Sequence, residues 1–267
     1  MKVTSSLKAM HHNLRPAFVI AKNTYKEVIR ERLLYGVWLA AALLTGASFF
    51  LATISLDQNS RVLQNTGLAS IHLLTVFIAV FVATNSMNHD VERRALYFLF
   101  PKPVSRPQYV VGKYLGFLMF LGTTLLILGG LFSIGIAFLN SSLLSAALIN
   151  IAFSFLEVSL LVALATLFAS FTAPLNASLY TLALFFIGHS QTTLKGFVSD
   201  LGNKSLEWII NAVYYILPNL EKFDVRKATL YNVAIPAEQV GWSIFYWVIM
   251  VSVVLYLATL VYRKQEF

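Results

Sequence analysis

The sequence has 267 residues, of which 58% are hydrophobic and only 12% are charged. Soluble domains typically carry about 25% charged residues, so these values exclude a soluble globular fold and predict a protein of the bilayer. The net charge of +8 comes from bases in short segments beside apolar runs. This distribution is typical of topology signals and of contact with anionic lipid, and it argues against nucleic-acid binding. The chain has no cysteine, which excludes disulfides, thiolate metal sites and thiol nucleophiles.

The N-terminal region, residues 1–32, is predicted to be a polar tail followed by a helix on the membrane surface. The adjacent His11 and His12 are too few ligands for a metal site, so residues 1–15 read as a solvated tail. Between residues 18 and 32 an apolar stripe recurs at helical spacing, and a basic stripe runs beside it. This pattern predicts an interfacial helix whose bases meet lipid phosphates, namely Lys22, Lys26 and Arg30.

Residues 33–267 are predicted to form an all-α membrane domain of six spans. The uncharged apolar runs lie at about 33–56, 67–87, 108–139, 146–171, 174–190 and 241–262. The fifth run is the shortest and is at the lower limit for crossing the hydrocarbon layer. A short polar turn at 57–65 joins the first two runs. The segment 191–239 lies outside the membrane core, and an apolar helical face before Pro218 predicts a helix on the outer leaflet.

A charged island at 88–113 separates the second and third runs and must lie in water. Its first part predicts a short amphipathic helix with acids in its first turn, where the helix dipole favours negative charge. Pro101 ends this helix, and Ser105 with Gln108 three residues later forms a capping-box pattern that starts the next one. The plainer alternative is a basic loop that obeys the positive-inside rule. The amphipathic pattern consists of Asp90, Val91, Glu92, Ala95, Phe98 and Leu99.

This island resembles the first cytoplasmic loop of type-2 ABC exporter permeases, the membrane subunits of ATP-driven pumps. The likeness rests on Glu92-Arg93-Arg94, on the segment from Lys102 to Arg106, and on Gly112-Lys113. A second likeness, at 217–226, is to the external segment before the last span of these permeases. The resemblance implies a coupling helix that docks into a separately encoded ATPase subunit. The docking residues would be Asp90, Val91, Glu92, Arg93, Arg94, Leu96, Lys102 and Arg106.

The same resemblance implies the wider assembly. The chain would form the translocation pathway as a dimer with itself or with a homologous permease, and two ATPase subunits would bind ATP and Mg²⁺. This chain would bind no cofactor and would not be an enzyme by itself. In agreement, no phosphate-binding loop occurs in the sequence, since Gly112-Lys113 is followed by Tyr114 rather than Ser or Thr. The family's usual direction of transport is export, and its short external helices cap the pathway.

The distribution of bases predicts the orientation of the chain. Of the 20 Lys and Arg residues, fourteen lie in the N-terminal region, the island and the C-terminal tail, and six lie elsewhere. The positive-inside rule therefore places both termini and the island in the cytoplasm and segment 191–239 outside. With the resemblance, this indicates the bacterial cytoplasmic (inner) membrane. A periplasmic partner at 191–239 stays open, although no motif supports one.

Glu157 is the one carboxylate inside a predicted span and is the candidate polar site within the membrane. An ionised carboxylate there costs several kcal/mol unless it is paired, protonated or facing water, so such residues are often functional. The alternative is that protonated Glu157 bridges helices by hydrogen bonds, with Asn150, Ser154 or Ser159 nearby. His72 and His189 lie near predicted span ends, where snorkelling to the interface is the expected role.

Two other classes of function remain as alternatives to a permease. An ion- or proton-coupled secondary transporter normally shows several paired ionisable groups at membrane depth, and only Glu157 meets this demand. An intramembrane enzyme needs a converging set of nucleophile, base or metal ligands, and the sequence alone displays none, so no metal site is predicted. Activity that survives in liposomes without ATP or an ATPase would favour either of these classes over the permease.

Overall fold

The computed structural model describes residues 2–54, 59–92, 105–139, 143–201, 214, 217–231, 233 and 235–264. In these ranges the regular secondary structure is entirely helical, as the sequence predicts. One short 3-10 helix, Glu221–Phe223, accompanies the α-helices. The α-helices are α1 (Lys2–Ile29), α2 (Arg32–Ile54), α3 (Asn59–Glu92), α4 (Arg106–Leu139), α5 (Leu144–Ala169), α6 (Pro174–His189), α7 (Gln191–Leu201), α8 (Arg226–Leu230) and α9 (Ala237–Lys264).

Five of the described helices are long and apolar enough to cross a membrane, judged by length and composition: α2, α3, α4, α5 and α9. The apolar stretches of α3 and α5 are 61% buried inside the protein, whereas those of α2 and α9 are only 22% buried. Helices α3 and α5 therefore form the centre of the bundle. The apolar side chains that α2 and α9 leave exposed suit acyl chains, as expected of a multi-pass membrane protein.

The predicted fifth span corresponds to α6, which has only 16 residues. At a rise of about 1.5 Å per residue it is about 24 Å long, shorter than a hydrocarbon core of about 30 Å. Pro174 starts the helix, where its missing N–H costs nothing, and the chain leaves helical geometry at Ser190. Five helices, rather than the six predicted, thus meet the criterion for a span, and a sixth crossing stays a prediction.

Helix α3 extends beyond the predicted second span at both ends. Residues 59–65, predicted as a polar turn, are helical, because neither proline nor a run of glycines interrupts the chain there. At the other end the helix continues without a break through Glu92, so residues 90–92 belong to α3 and do not start a separate helix. The remainder of the predicted coupling helix, and the turn after it as far as residue 104, lies outside the described residues.

Helix α1 packs along α4 in the most extensive helix pairing of the described structure. The backbone of Ala17 lies close to Gly112, and that of Ala21 lies close to Gly116. Because the contacts advance together along both chains, the two helices run in the same direction. Farther along, the Tyr25 hydroxyl is 3.0 Å from the Thr123 hydroxyl.

The same end of the bundle also holds the start of α4 and the end of α9. The Arg106 guanidinium donates hydrogen bonds to the backbone oxygens of Tyr262 and Arg263, at 2.8 and 2.6 Å. These bonds satisfy carbonyls that the end of a helix leaves without partners. Gln108 Oε1 accepts a 2.9 Å bond from the Ser105 N–H, which confirms that half of the predicted capping box. We call this end of the bundle, where the start of α4 and the end of α9 lie beside helix α1, the α1 end.

Residues 217–225, here called the capping segment, fold back onto the end of α6. The Leu220 N–H donates to the Gly188 carbonyl at 3.3 Å, and the Asn219 N–H donates to the Tyr246 hydroxyl at 2.8 Å. Leu220 and Phe223 are 0% and 2% exposed, so their side chains lie inside the bundle. The capping segment therefore covers the end of α6 and packs against α5.

Candidate functional site

Three ionisable side chains from three helices meet inside the bundle: His72 of α3, Glu157 of α5 and His189 of α6. Glu157 Oε1 is 3.4 Å from His72 Nε2 and 3.2 Å from His189 Nε2. The side chains of His72, Glu157 and His189 are 6%, 3% and 18% exposed. This cluster is the strongest candidate for a functional site in the described structure, because buried ionisable groups are costly unless they are partnered.

The cluster lies deep in the membrane domain. Glu157 comes thirteen residues after Leu144, the start of α5, which corresponds to about 20 Å along the helix. Helix α6 ends at His189, so it reaches the level of Glu157 and stops there. The Phe185 ring lies 4.7 Å from the His189 ring and 6.0 Å from the His72 ring, between centroids, and is itself buried. An apolar wall of this kind strengthens electrostatic interactions inside the site.

The second nitrogen of each imidazole has its own polar contact. His189 Nδ1 is 3.3 Å from the Phe185 carbonyl oxygen, and His72 Nδ1 is 3.1 Å from the Ser154 hydroxyl. A carbonyl oxygen only accepts hydrogen bonds, so Nδ1 of His189 carries a proton. In a neutral ring, Nε2 of His189 is then an acceptor with a free lone pair.

The three facing atoms of the cluster are not hydrogen-bonded to one another. His72 Nε2, His189 Nε2 and Glu157 Oε1 are buried and have no hydrogen-bond partner among the described residues. Both Nε2 atoms are close to Glu157 Oε1, but the side chains are not oriented so that hydrogen bonds form between them. Two acceptors 3.2 Å apart repel each other, and a proton or a metal ion between them removes the repulsion.

The sequence identified only one member of this cluster. Glu157 faces two histidines from other helices rather than the neighbouring polar residues, and whether it bridges helices as a protonated hydrogen-bond partner stays a prediction. Of those neighbours, only Ser154 reaches the cluster; Asn150 binds the Thr229 hydroxyl at 2.6 Å, and Ser159 accepts a 2.6 Å bond from a tryptophan indole. The predicted interfacial placement of His72 and His189 is wrong, because both side chains turn inward. The sequence signal that could have indicated the cluster was the presence of isolated polar residues within apolar runs.

The membrane-interface residues lie on the exposed side of α1. Lys22, Lys26 and Arg30 are exposed, whereas the opposite face of the helix is buried against α4. The predicted apolar stripe is only partly buried, since Phe18 is 62% exposed. Among residues 16–29, whose burial the structure describes, four are buried where α1 approaches α4: Ala17, Ala21, Thr24 and Val28. Ala21 and Val28 belong to the predicted stripe.

The predicted ATPase-docking residues fall into three groups. Arg106 is bonded to the end of α9, as described above. Asp90, Val91 and Glu92 continue α3 as a helical backbone. The others, Arg93, Arg94, Leu96 and Lys102, lie outside the described residues.

A second charged contact lies in the capping segment. Asp224 accepts bonds from the Arg226 side chain at 2.9 and 3.2 Å. Burial alone would raise the pKa of the Asp224 carboxyl, but the hydrogen bonds and positive charge of Arg226 outweigh it and hold the pKa below the ordinary value of 3.8. The folded state therefore binds the proton less readily than the unfolded state does.

We expect this pair to make the capping segment sensitive to acid. Its stabilisation is fully present above the unfolded pKa and is lost as the pH falls through the lowered folded value. The pair is partly exposed, so we expect a loss of about 0.5–1 kcal/mol. Hydrogen exchange of residues 217–225 at about pH 5 and about pH 3 should show faster opening in acid. Asp224→Asn should remove this difference; an equal difference in the variant would contradict the assignment.

The described chain is thus an all-helical, multi-pass membrane protein with a buried His-Glu-His cluster beside a short helix. A scan against protein-family models and a search of the curated proteins each gave no match to this sequence.

Proposed function

We propose that the chain is the membrane-spanning permease subunit of an ABC exporter, that it works as a dimer and that separate ATPase subunits drive it. The observation that carries this proposal is the grouping of elements at the α1 end. The end of α3, the start of α4, the end of α9 and the basic helix α1 are gathered there. The charged island joins α3 to α4 at this same end, and we expect the ATPase to bind there.

The contacts at the α1 end would transmit a displacement of the island into the bundle. Arg106, the first residue of α4, is bonded directly to the last carbonyls of α9. Farther along α4, the Lys113 ammonium nitrogen is 3.5 Å from the Glu27 carboxylate of α1 and 3.1 Å from the Ser86 hydroxyl of α3. A push on the island would therefore move α4 together with α1, α3 and α9. Bundles change state by such rigid movements of packed helices.

The orientation follows from the same proposal. The α1 end carries most of the bases and would face the cytoplasm, and the capping segment would face outward. ATP and Mg²⁺ would bind to the ATPase subunits, because the sequence lacks a phosphate-binding loop. The exposed apolar faces of α2 and α9 offer surface for lipid or for a second permease subunit.

An ion- or proton-coupled secondary transporter is the second candidate, and one observation favours it. Such carriers place paired ionisable groups near the middle of the membrane, and the His72, Glu157 and His189 cluster is of this kind. Transport into liposomes by the purified chain, without ATP or an ATPase, would support this candidate over the first.

The docking role is tested by removing charge from the island. We expect the double variant Glu92→Ala/Arg93→Ala to reduce co-purification with an ATPase encoded beside this chain by about tenfold or more, because arginine is among the residues whose truncation costs an interface most. The measurement is the ratio of ATPase to permease after affinity purification from membranes.

A matched control removes one acid and one base at the opposite end. Lys227→Ala/Glu238→Ala changes two exposed residues beyond the capping segment and should leave the ratio unchanged. If the island variant retains both its ATPase and its transport, the docking role is contradicted.

A further inference from the structure

We propose that His72, Glu157 and His189 bind a divalent transition-metal ion, with Zn²⁺ as the best fit, inside the membrane domain. Their ligand atoms all lie within 4.8 Å of one another, and each comes from a different helix. The site does not depend on the proposed transport function, since none of its residues belongs to the island.

Two of the three ligand separations match a tetrahedral ion, and the third, between the two imidazole nitrogens, is within 4.8 Å. Ligands about 2.0–2.1 Å from a tetrahedral Zn²⁺ lie about 3.3–3.4 Å from one another. The two separations from Glu157 Oε1 are 3.4 Å to His72 and 3.2 Å to His189. Two imidazoles and one carboxylate are also the donors found in several zinc sites with an open fourth position.

The surroundings of the imidazoles match those of metal-bound histidines. Such histidines donate the other ring N–H to a carbonyl, carboxylate or similar group, which fixes the tautomer and aims the free lone pair at the ion. His189 has the Phe185 carbonyl for this purpose, and His72 has the Ser154 hydroxyl. With Nδ1 protonated in both rings, both Nε2 lone pairs and the carboxylate converge without a proton between them.

The donor set also restricts which cation can bind. Mg²⁺ and Ca²⁺ prefer ligand sets made of oxygen, whereas imidazole with carboxylate suits Zn²⁺ and Fe²⁺. An ion of this class would remove the repulsion among three buried acceptors. It would also join α3 and α5 to the end of α6, which the capping segment contacts at Gly188. Three protein ligands leave one coordination position for water.

The test uses the full chain in detergent, purified through a tag that contains no histidine. After equilibration with Zn²⁺ and removal of the excess, elemental analysis should find one zinc per chain, and Mg²⁺ treated likewise should not be retained. Co²⁺ should give the intense visible absorption of tetrahedral coordination. Each of His72→Gln, Glu157→Gln and His189→Gln should abolish zinc retention and this spectrum.

The matched control is His11→Gln/His12→Gln, which removes a histidine pair from the N-terminal tail and should retain the zinc. Ser154→Ala removes only the contact that orients His72, so it should weaken zinc affinity by about 10- to 100-fold while one ion still binds at saturation. Elution volume and helical content show whether each variant folds. If the ligand variants misfold, the cobalt spectrum of the unchanged chain and the Ser154→Ala titration decide.

Two results would overturn the proposal. One is an unchanged chain that retains no zinc and gives no tetrahedral cobalt spectrum, which would leave a shared proton as the occupant of the cluster. The other is zinc lost from the His11/His12 variant but kept by the cluster variants, which means an adventitious ion only. Neither measurement involves an ATPase, so failure of the proposed transport function leaves the result unaffected.

Discussion

Changing Gly112 and Gly116 together to alanine is expected to release α1 from α4. A Cβ at Gly116 would lie 2.6 Å from the Thr24 Cβ and 2.7 Å from the Ala21 carbonyl oxygen, and a Cβ at Gly112 would lie 2.8 Å from the Ala17 carbonyl oxygen. Backbone oxygens cannot move aside as side chains do, so α1 itself must shift. Overpacking of this kind typically costs about 1–3 kcal/mol for each site.

The cysteine-free chain provides a direct measurement of this release. Thr24 is 2% exposed on the face of α1 that packs on α4, so the thiol introduced by Thr24→Cys should react slowly with a water-soluble reagent. The double alanine change should increase that rate. Gly130→Ala is the matched control on the same helix, because nothing lies within 4 Å of a Cβ there. Equal labelling rates in all three backgrounds would show that the glycines do not hold α1.

Shortening Leu220 to alanine is expected to loosen the capping segment and to lower the stability of the protein. Leu220 is fully buried, and its N–H is bonded to the carbonyl of Gly188 next to the cluster. Truncating a buried leucine costs about 2–5 kcal/mol, because it removes apolar contacts and leaves a cavity. Thermal unfolding in detergent should therefore begin at a lower temperature, and the amides of residues 217–225 should exchange faster.

The control for this prediction is Leu179→Ala on α6. That side chain is 53% exposed on the outside of the bundle, so the same chemical change should have a much smaller effect. If both variants unfold at the same temperature, the capping segment contributes little to the fold. If only Leu220→Ala lowers the unfolding temperature, but the amide hydrogens of residues 217–225 still exchange slowly, the lost stability comes from another part of the bundle.

The positions of the long helices were predictable from the sequence, because an uncharged apolar run of sufficient length has few other stable structures in a bilayer. The first span predicted at 33–56 is Arg32–Ile54, and the last predicted at 241–262 lies within Ala237–Lys264. The helical state of 59–65 was missed because a polar composition was read as a turn. Polar residues continue a helix when nothing in the sequence stops it.

The cluster was not predictable by the same means. Its three residues lie far apart in the chain, and no local spacing connects them, so only the packing of three helices brings them together. A histidine near a span end reads as interfacial until the depth of that end is known. The short length of α6 sets that depth for His189. The sequence predicted the short helix, but it did not predict that His189 would lie beside Glu157.

The shortness of α6 also bears on the lipids around the protein. Helix α5 has 26 residues and α6 has 16, so the apolar surface of α6 is much shorter than that of α5. A bilayer beside a short apolar surface becomes thinner, and this costs a small free energy for each ångström of mismatch. If α6 lies in the bilayer, short-chain phospholipids should therefore gather beside it.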